Sequence, residues 1–160
     1  MKIKIKEWCL SIASLGPIGY MPFGAQIAAL LSFPILIILG WLFLLSTSLF
    51  YGIVTTLALL AVLAIYVALG FETDQHPGVI VINNVLGMVI VFICMPITIK
   101  FAAIGILLFY GAKYLIPRVM RKLVGQSFEK WPLFITLIGV DVFSGLVVNI
   151  FLRFVLWLAN

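Results

Sequence analysis

The stretch SLFYGIVTTLALLAVLAIYVALG, residues 48–70, carries no charged side chain. A helix needs about 20 mostly apolar residues to cross the hydrocarbon of a bilayer, and this stretch meets that length unbroken. Before it, the run from Ala25 to Leu45 reads as another crossing, with Pro34 as a kink that membrane helices tolerate. After it comes a polar break, FETDQHPG at 71–78. A third crossing is expected from Val79 to Met95, stopping at Pro96, and a fourth from Ile99 to Ile116, ending at Pro117. A basic loop runs on to Trp131, and a last helix is expected from Pro132 to Leu158. The implied fold is an all-α polytopic membrane bundle with four or five spanning helices, one domain over residues 1–160.

Composition agrees along the whole chain. Apolar residues make up 65% and charged residues 9%, against roughly 45–50% and about 25% in soluble domains. Lys and Arg number 10, Asp and Glu 5, too few to cover a soluble globule of 17.7 kDa. Disorder is excluded too, because it requires low hydrophobicity and high charge, whereas the mean hydropathy here is +1.32. Cys9 and Cys94 form no CxxC pair, so no metal or redox chemistry is read from them.

Charge sets the orientation. Five crossings would put the N-terminal arm, the 71–78 loop and the 113–131 loop on one side. That side would hold Lys2, Lys4, Lys6, Lys113, Arg118, Arg121, Lys122 and Lys130, eight of the ten basic residues, with Lys100 opposite and Arg153 inside the last helix. The positive-inside rule makes it the cytoplasmic side, with the C-terminus on the other. The net charge of +5 is accounted for by anionic lipid and needs no nucleic acid.

Polar groups inside the apolar segments are the informative ones, because each must be satisfied within the protein. Asn83 and Asn84 stand near the start of the third crossing, with Gly87 four residues after Asn83, a polar and close-approach stripe. Asp141, Ser144, Gly145, Asn149 and Arg153 share one face of the last helix. An aspartate in a membrane helix costs about 2.5–3.5 kcal/mol unless paired or wet. The asparagines and Ser144 can also simply join helices by hydrogen bonds, and His76 reads on its own as a solvated loop histidine. Ser14 to Gly24 holds three Gly and two Pro, too many for a regular helix, and suggests an interfacial or re-entrant loop. Together these groups suggest a shallow pocket open to the inner face.

The stretch His76 to Met88, HPGVIVINNVLGM, resembles the central motif of the phosphatidylglycerophosphatase A family, D-P-x-E-I-V-I-D-E-x-x-G-M. Leu15 to Pro22 is similar to that family's Gly/Pro-rich N-terminal loop. Phe109 to Pro117 is similar to F-R-x-x-D-x-x-K-P, and Val140 to Gly145 to D-D-x-x-A-G. The resemblance implies a bacterial inner-membrane protein of phospholipid metabolism. Its substrate would be phosphatidylglycerophosphate, and its cofactor Mg²⁺ on carboxylates from these motifs.

The family-equivalent site positions are then Asp141, Asn83, Asn84, His76 and Lys113. The departures from the pattern decide how they are read. His76, Val79, Asn83, Asn84, Lys113 and Val140 stand at carboxylate positions, Tyr110 at the arginine and Ile116 at the lysine; only Asp141 keeps its acid. Mg²⁺ usually takes one or two carboxylates besides phosphate, so Asp141 and Asn84 would form a weak metal site at most, and Lys113 would repel the ion. The mapping instead predicts a salt bridge between Lys113 and Asp141. Three functions follow: a degenerate relative with little or no phosphatase activity, an active phosphatase with an altered site, or a small membrane subunit of a larger complex. The replaced carboxylates favour the first.

Overall fold

The computed structural model describes residues 2–70, 79–93, 95 and 99–159. These residues form α1 (Lys2–Ala13), a 3-10 helix (Gly16–Tyr20), α2 (Gly24–Leu45), α3 (Thr47–Gly70), α4 (Ile82–Phe92), α5 (Ile99–Val124), a second 3-10 helix (Gly125–Lys130) and α6 (Leu133–Ala159). Four of them, α2, α3, α5 and α6, are long and apolar enough to cross a membrane. The all-α membrane bundle expected from the sequence is therefore the fold. Chain packing divides it into two compact units, Met1–Leu86 and Gly87–Asn160.

In the first unit α3 is the centre, with α1 and α2 packed against it. Ala28, Ser32, Leu36 and Leu39 form a buried stripe on α2, and Ala61, Ala64, Ile65 and Ala68 one on α3. The small side chains among them, Ala28, Ser32, Ala61, Ala64 and Ala68, let helix backbones approach closely without a hydrophobic drive between them. The remaining faces expose Leu30, Ile38, Trp41, Leu44, Leu59 and Leu63, as expected where lipid is the solvent. The Ser14–Gly24 segment is irregular as anticipated. Leu15 and Phe23 adopt left-handed backbone at φ 53° and 63°, a region sparsely populated by side-chain-bearing residues. Buried Ser14 donates its hydroxyl to the Gly16 carbonyl at 3.0 Å. Gly19 lies so close to the Val79 carbonyl that a Cβ would overlap it.

In the second unit α5 and α6 pack on each other. The buried side chains Met88, Val91, Phe92, Phe109, Val148 and Leu152 fill the unit's interior. Three close approaches are glycine-dependent. Gly87 faces the Phe109 ring and the Asp141 carbonyl, Gly105 faces the Phe92 ring, and a Cβ on Gly145 would stand 2.6 Å from the Gly87 carbonyl oxygen.

Three expectations are corrected. The third crossing, expected over Val79–Met95, is only the 11-residue α4, about 16 Å at 1.5 Å per residue, roughly half a bilayer core. Both its ends are set by distant partners. The Val81 N–H donates to the Ala13 carbonyl at 3.0 Å, and the Asn149 amide takes the last carbonyls. Among the described residues four helices, not five, are long and apolar enough to cross, so the placement of the C-terminus by five-crossing parity loses its basis. Second, α5 does not stop before Pro117 but passes through it to Val124, so much of the expected basic loop is helix. Third, the N-terminal arm is itself the helix α1.

Candidate functional site

Asp141 sits in the third turn of α6, and its side chain is 1% exposed. A lone carboxylate there would be strongly disfavoured. The Lys113 ammonium lies 2.8 Å from Oδ1 and 3.0 Å from Oδ2, so it spans both oxygens. The predicted salt bridge is present. Its members sit on α5 and α6 at nearly equal distances from the turn that joins them. Lys113 is partly exposed at 28%, so one member is buried and the other reaches toward the outside, as a lysine stem allows. Pro117 has no N–H to give the Lys113 carbonyl four residues earlier.

Chemically the pair is closed. Oδ2 accepts a hydrogen bond from the ammonium, and Oδ1 lies in ion-pair contact with it without accepting a hydrogen bond, so a cation already stands beside the carboxylate. Mg²⁺ takes oxygens at about 2.0–2.1 Å in octahedral array, and the Lys113 charge opposes it at these separations. Among the described residues no three of His, Cys, Asp or Glu come together. The donor set around Asp141 does not fit Mg²⁺.

The rest of the polar face on α6 does structural work. Ser144 is buried and donates to the Val140 carbonyl of its own helix at 2.6 Å. Asn149 Nδ2 donates to the carbonyls of Ile90, Val91 and Ile93 at 3.1, 2.8 and 3.3 Å. Arg153 donates to Asn149 Oδ1 at 2.8 Å through Nε and to the Ile93 carbonyl at 3.0 Å through a terminal nitrogen. The last carbonyls of a helix have no partner within it, and lipid offers none. Asn149 and Arg153 cap α4 from outside, and the guanidinium sits favourably at the negative end of that helix. The sequence showed these two residues on one face without showing what they cap.

Asn83 and Asn84 lie in the first turn of α4, both 2% exposed. Asn84 Nδ2 donates to the Val81 carbonyl at 3.3 Å and, at 3.4 Å, to Asn83 Oδ1. They belong to the first unit and the ion pair to the second. His76 lies outside the described residues. Of the other family positions, Val79 is in the first unit, while Tyr110, Ile116 and Val140 are on the α5–α6 pair. No protein-family model, curated protein or solved structure matches this chain.

Proposed function

We propose that this protein is a degenerate relative of the phosphatidylglycerophosphatase A family, a phospholipid-associated protein of the bacterial inner membrane with little or no phosphatase activity. The observation that carries the proposal is the Lys113–Asp141 ion pair, at 2.8 and 3.0 Å. Both positions align with metal-site aspartates in the resemblance, and a lysine at one neutralises the carboxylate at the other without a metal. The helical membrane fold and the ordered run of motifs support the same lineage. Purified protein in detergent, given Mg²⁺ and phosphatidylglycerophosphate, is expected to release no more phosphate than its Asp141→Asn variant. Lys113→Asp, which places two carboxylates where the pair now stands, should bind Mg²⁺ at least about tenfold more tightly than the native chain. Mg²⁺-dependent release by the native protein, lost in Asp141→Asn, would overturn the proposal.

The orientation rests on charge and length. Within α5 the stretch from Phe101 to Ala112 carries no charge, while Lys113, Arg118, Arg121 and Lys122 follow on the same helix. Helix α5 is the least apolar of the four long helices, with a mean hydropathy of 1.3 over its span against 2.1–2.6 for the others. We place its basic end and the turn at Gly125 in the cytoplasm by the positive-inside rule. A reporter fused after Gly125 is expected to be active only as a cytoplasmic fusion; an extracytoplasmic signal would reverse the assignment.

A further inference from the structure

Between Glu7 and Glu72 the chain has no charged residue and no histidine, so the Ser14–Gly24 segment is as uncharged as α2 and α3. Four consecutive residues of that segment, Tyr20, Met21, Pro22 and Phe23, are exposed, Phe23 by 74%. The segment is nonetheless tightly built. The N–H groups of Gly19, Met21 and Gly24 donate to the carbonyls of Ser14, Ile18 and Met21 at 2.8–3.1 Å, and Pro17 and Pro22 have no N–H to satisfy. Gly24 lies so close to the Ile18 carbonyl that a Cβ would overlap its oxygen. Phe23 holds φ at 63°, where glycine rests without strain and a bulky side chain does not. The chain thus keeps an exposed aromatic ring at a position whose backbone favours glycine.

We propose that Tyr20, Met21 and Phe23 insert into the bilayer at the boundary of headgroups and acyl chains, in the leaflet where α2 begins. The occupant follows from continuity with the lipid-facing side of α2. Phe23, Leu30, Ile37 and Leu44 recur every seven residues, about two helical turns, and all are more than half exposed. Phe23 belongs to that register because its carbonyl accepts from the Ile27 N–H at 3.0 Å. The depth follows from Gln26, an exposed polar side chain in the first turn of α2. From Gln26 to Leu45 the helix rises about 28 Å, close to the thickness of the hydrocarbon, which leaves Tyr20 to Phe23 just outside it. Amphipathic rings suit that level, and N–H groups that are spent internally or absent lower the cost of leaving water. With no charge in the segment, the contact is with the boundary itself and not with a particular headgroup. The inference rests on the first unit and its membrane fold, and holds whether or not the chain descends from a phosphatase.

The test uses the full chain with Trp8→Phe, Trp41→Phe, Trp131→Phe and Trp157→Phe, and with Phe23→Trp as the single reporter. All four native tryptophans are exposed, so their replacement leaves the packed interior intact. The protein is placed in bilayers whose lipids carry bromine either high or low on the acyl chain, with acrylamide added to the water. Insertion by about 5–10 Å should make the high bromine quench at least about twofold more than the low one. Emission should be blue-shifted from that of a tryptophan in water, and neutral and anionic host lipids should give the same result. Tyr20→Trp in the same background repeats the measurement where the substitution at 23 disturbs the turn. Quenching by acrylamide without quenching by bromine would put the segment in water. Stronger quenching by the low bromine would make it a re-entrant loop in the hydrocarbon, and quenching by none of the three would show it covered by protein. A preference for brominated anionic lipid would mean that a headgroup is recognised. Each of these four results overturns the proposal.

Discussion

Lys113→Met is expected to destabilise the protein by about 3–5 kcal/mol in mixed-micelle unfolding, the usual loss when one partner of a buried ion pair is removed. The reason is the asymmetry of the pair: Asp141 is 1% exposed and Lys113 28%. Removing the lysine strands a carboxylate that has no route to water. Removing the carboxylate leaves an ammonium that can swing outward on its stem. Asp141→Asn should therefore cost less, about 1–3 kcal/mol for the weakened hydrogen bonds. Combining the two substitutions removes the stranded charge, so the double variant should recover up to about 3 kcal/mol relative to the sum of the single losses. Strictly additive losses would show that the two side chains do not interact in the folded protein.

Legibility in the sequence followed the range of the interactions involved. Helices α2, α3 and α6 could be read to within about one residue at most ends, because an apolar run of bilayer length is a local property. The Lys113–Asp141 pair was also legible, since an acid in an apolar helix demands a cation and the motif pattern put Lys113 opposite it. The ends of α4 were not, because Ala13 and Asn149 set them, far away in the chain. Helix α1 escaped notice because Lys2 to Lys6 alternates polar and apolar residues with period two, a strand-like pattern. At Pro117 a local rule misled: proline removes one helical hydrogen bond, yet helical backbone on both sides of it keeps every other carbonyl satisfied. In a membrane that consideration outweighs the local penalty.

Asn149→Leu tests the other half of this arrangement, the helix that ends short. Leucine keeps the approximate volume but removes the amide that donates to the carbonyls of Ile90, Val91 and Ile93. Each buried acceptor left without a donor costs about 1–3 kcal/mol. Arg153 still reaches the Ile93 carbonyl and the Ile93 N–H still donates to the Ile90 carbonyl at 3.4 Å, so the Val91 carbonyl loses its Asn149 donor, and a loss of about 1–3 kcal/mol is expected. Asn149→Asp separates donor from acceptor. It keeps an oxygen for Arg153 Nε but turns a carboxylate toward helix-terminal carbonyls, so it should be no more stable than the leucine variant. Arg153→Gln should be milder, because Arg153 is exposed and Asn149 continues to serve the carbonyls without it. Amide exchange should locate the effect: protection is expected to fall at the C-terminal turn of α4 in Asn149→Leu and to hold in the middle of α3. If Asn149→Leu unfolded at the native denaturant midpoint, the last carbonyls of α4 would have to be satisfied by water. A helix of about 16 Å would then need a wet channel to its end, and the membrane-buried cap would be ruled out.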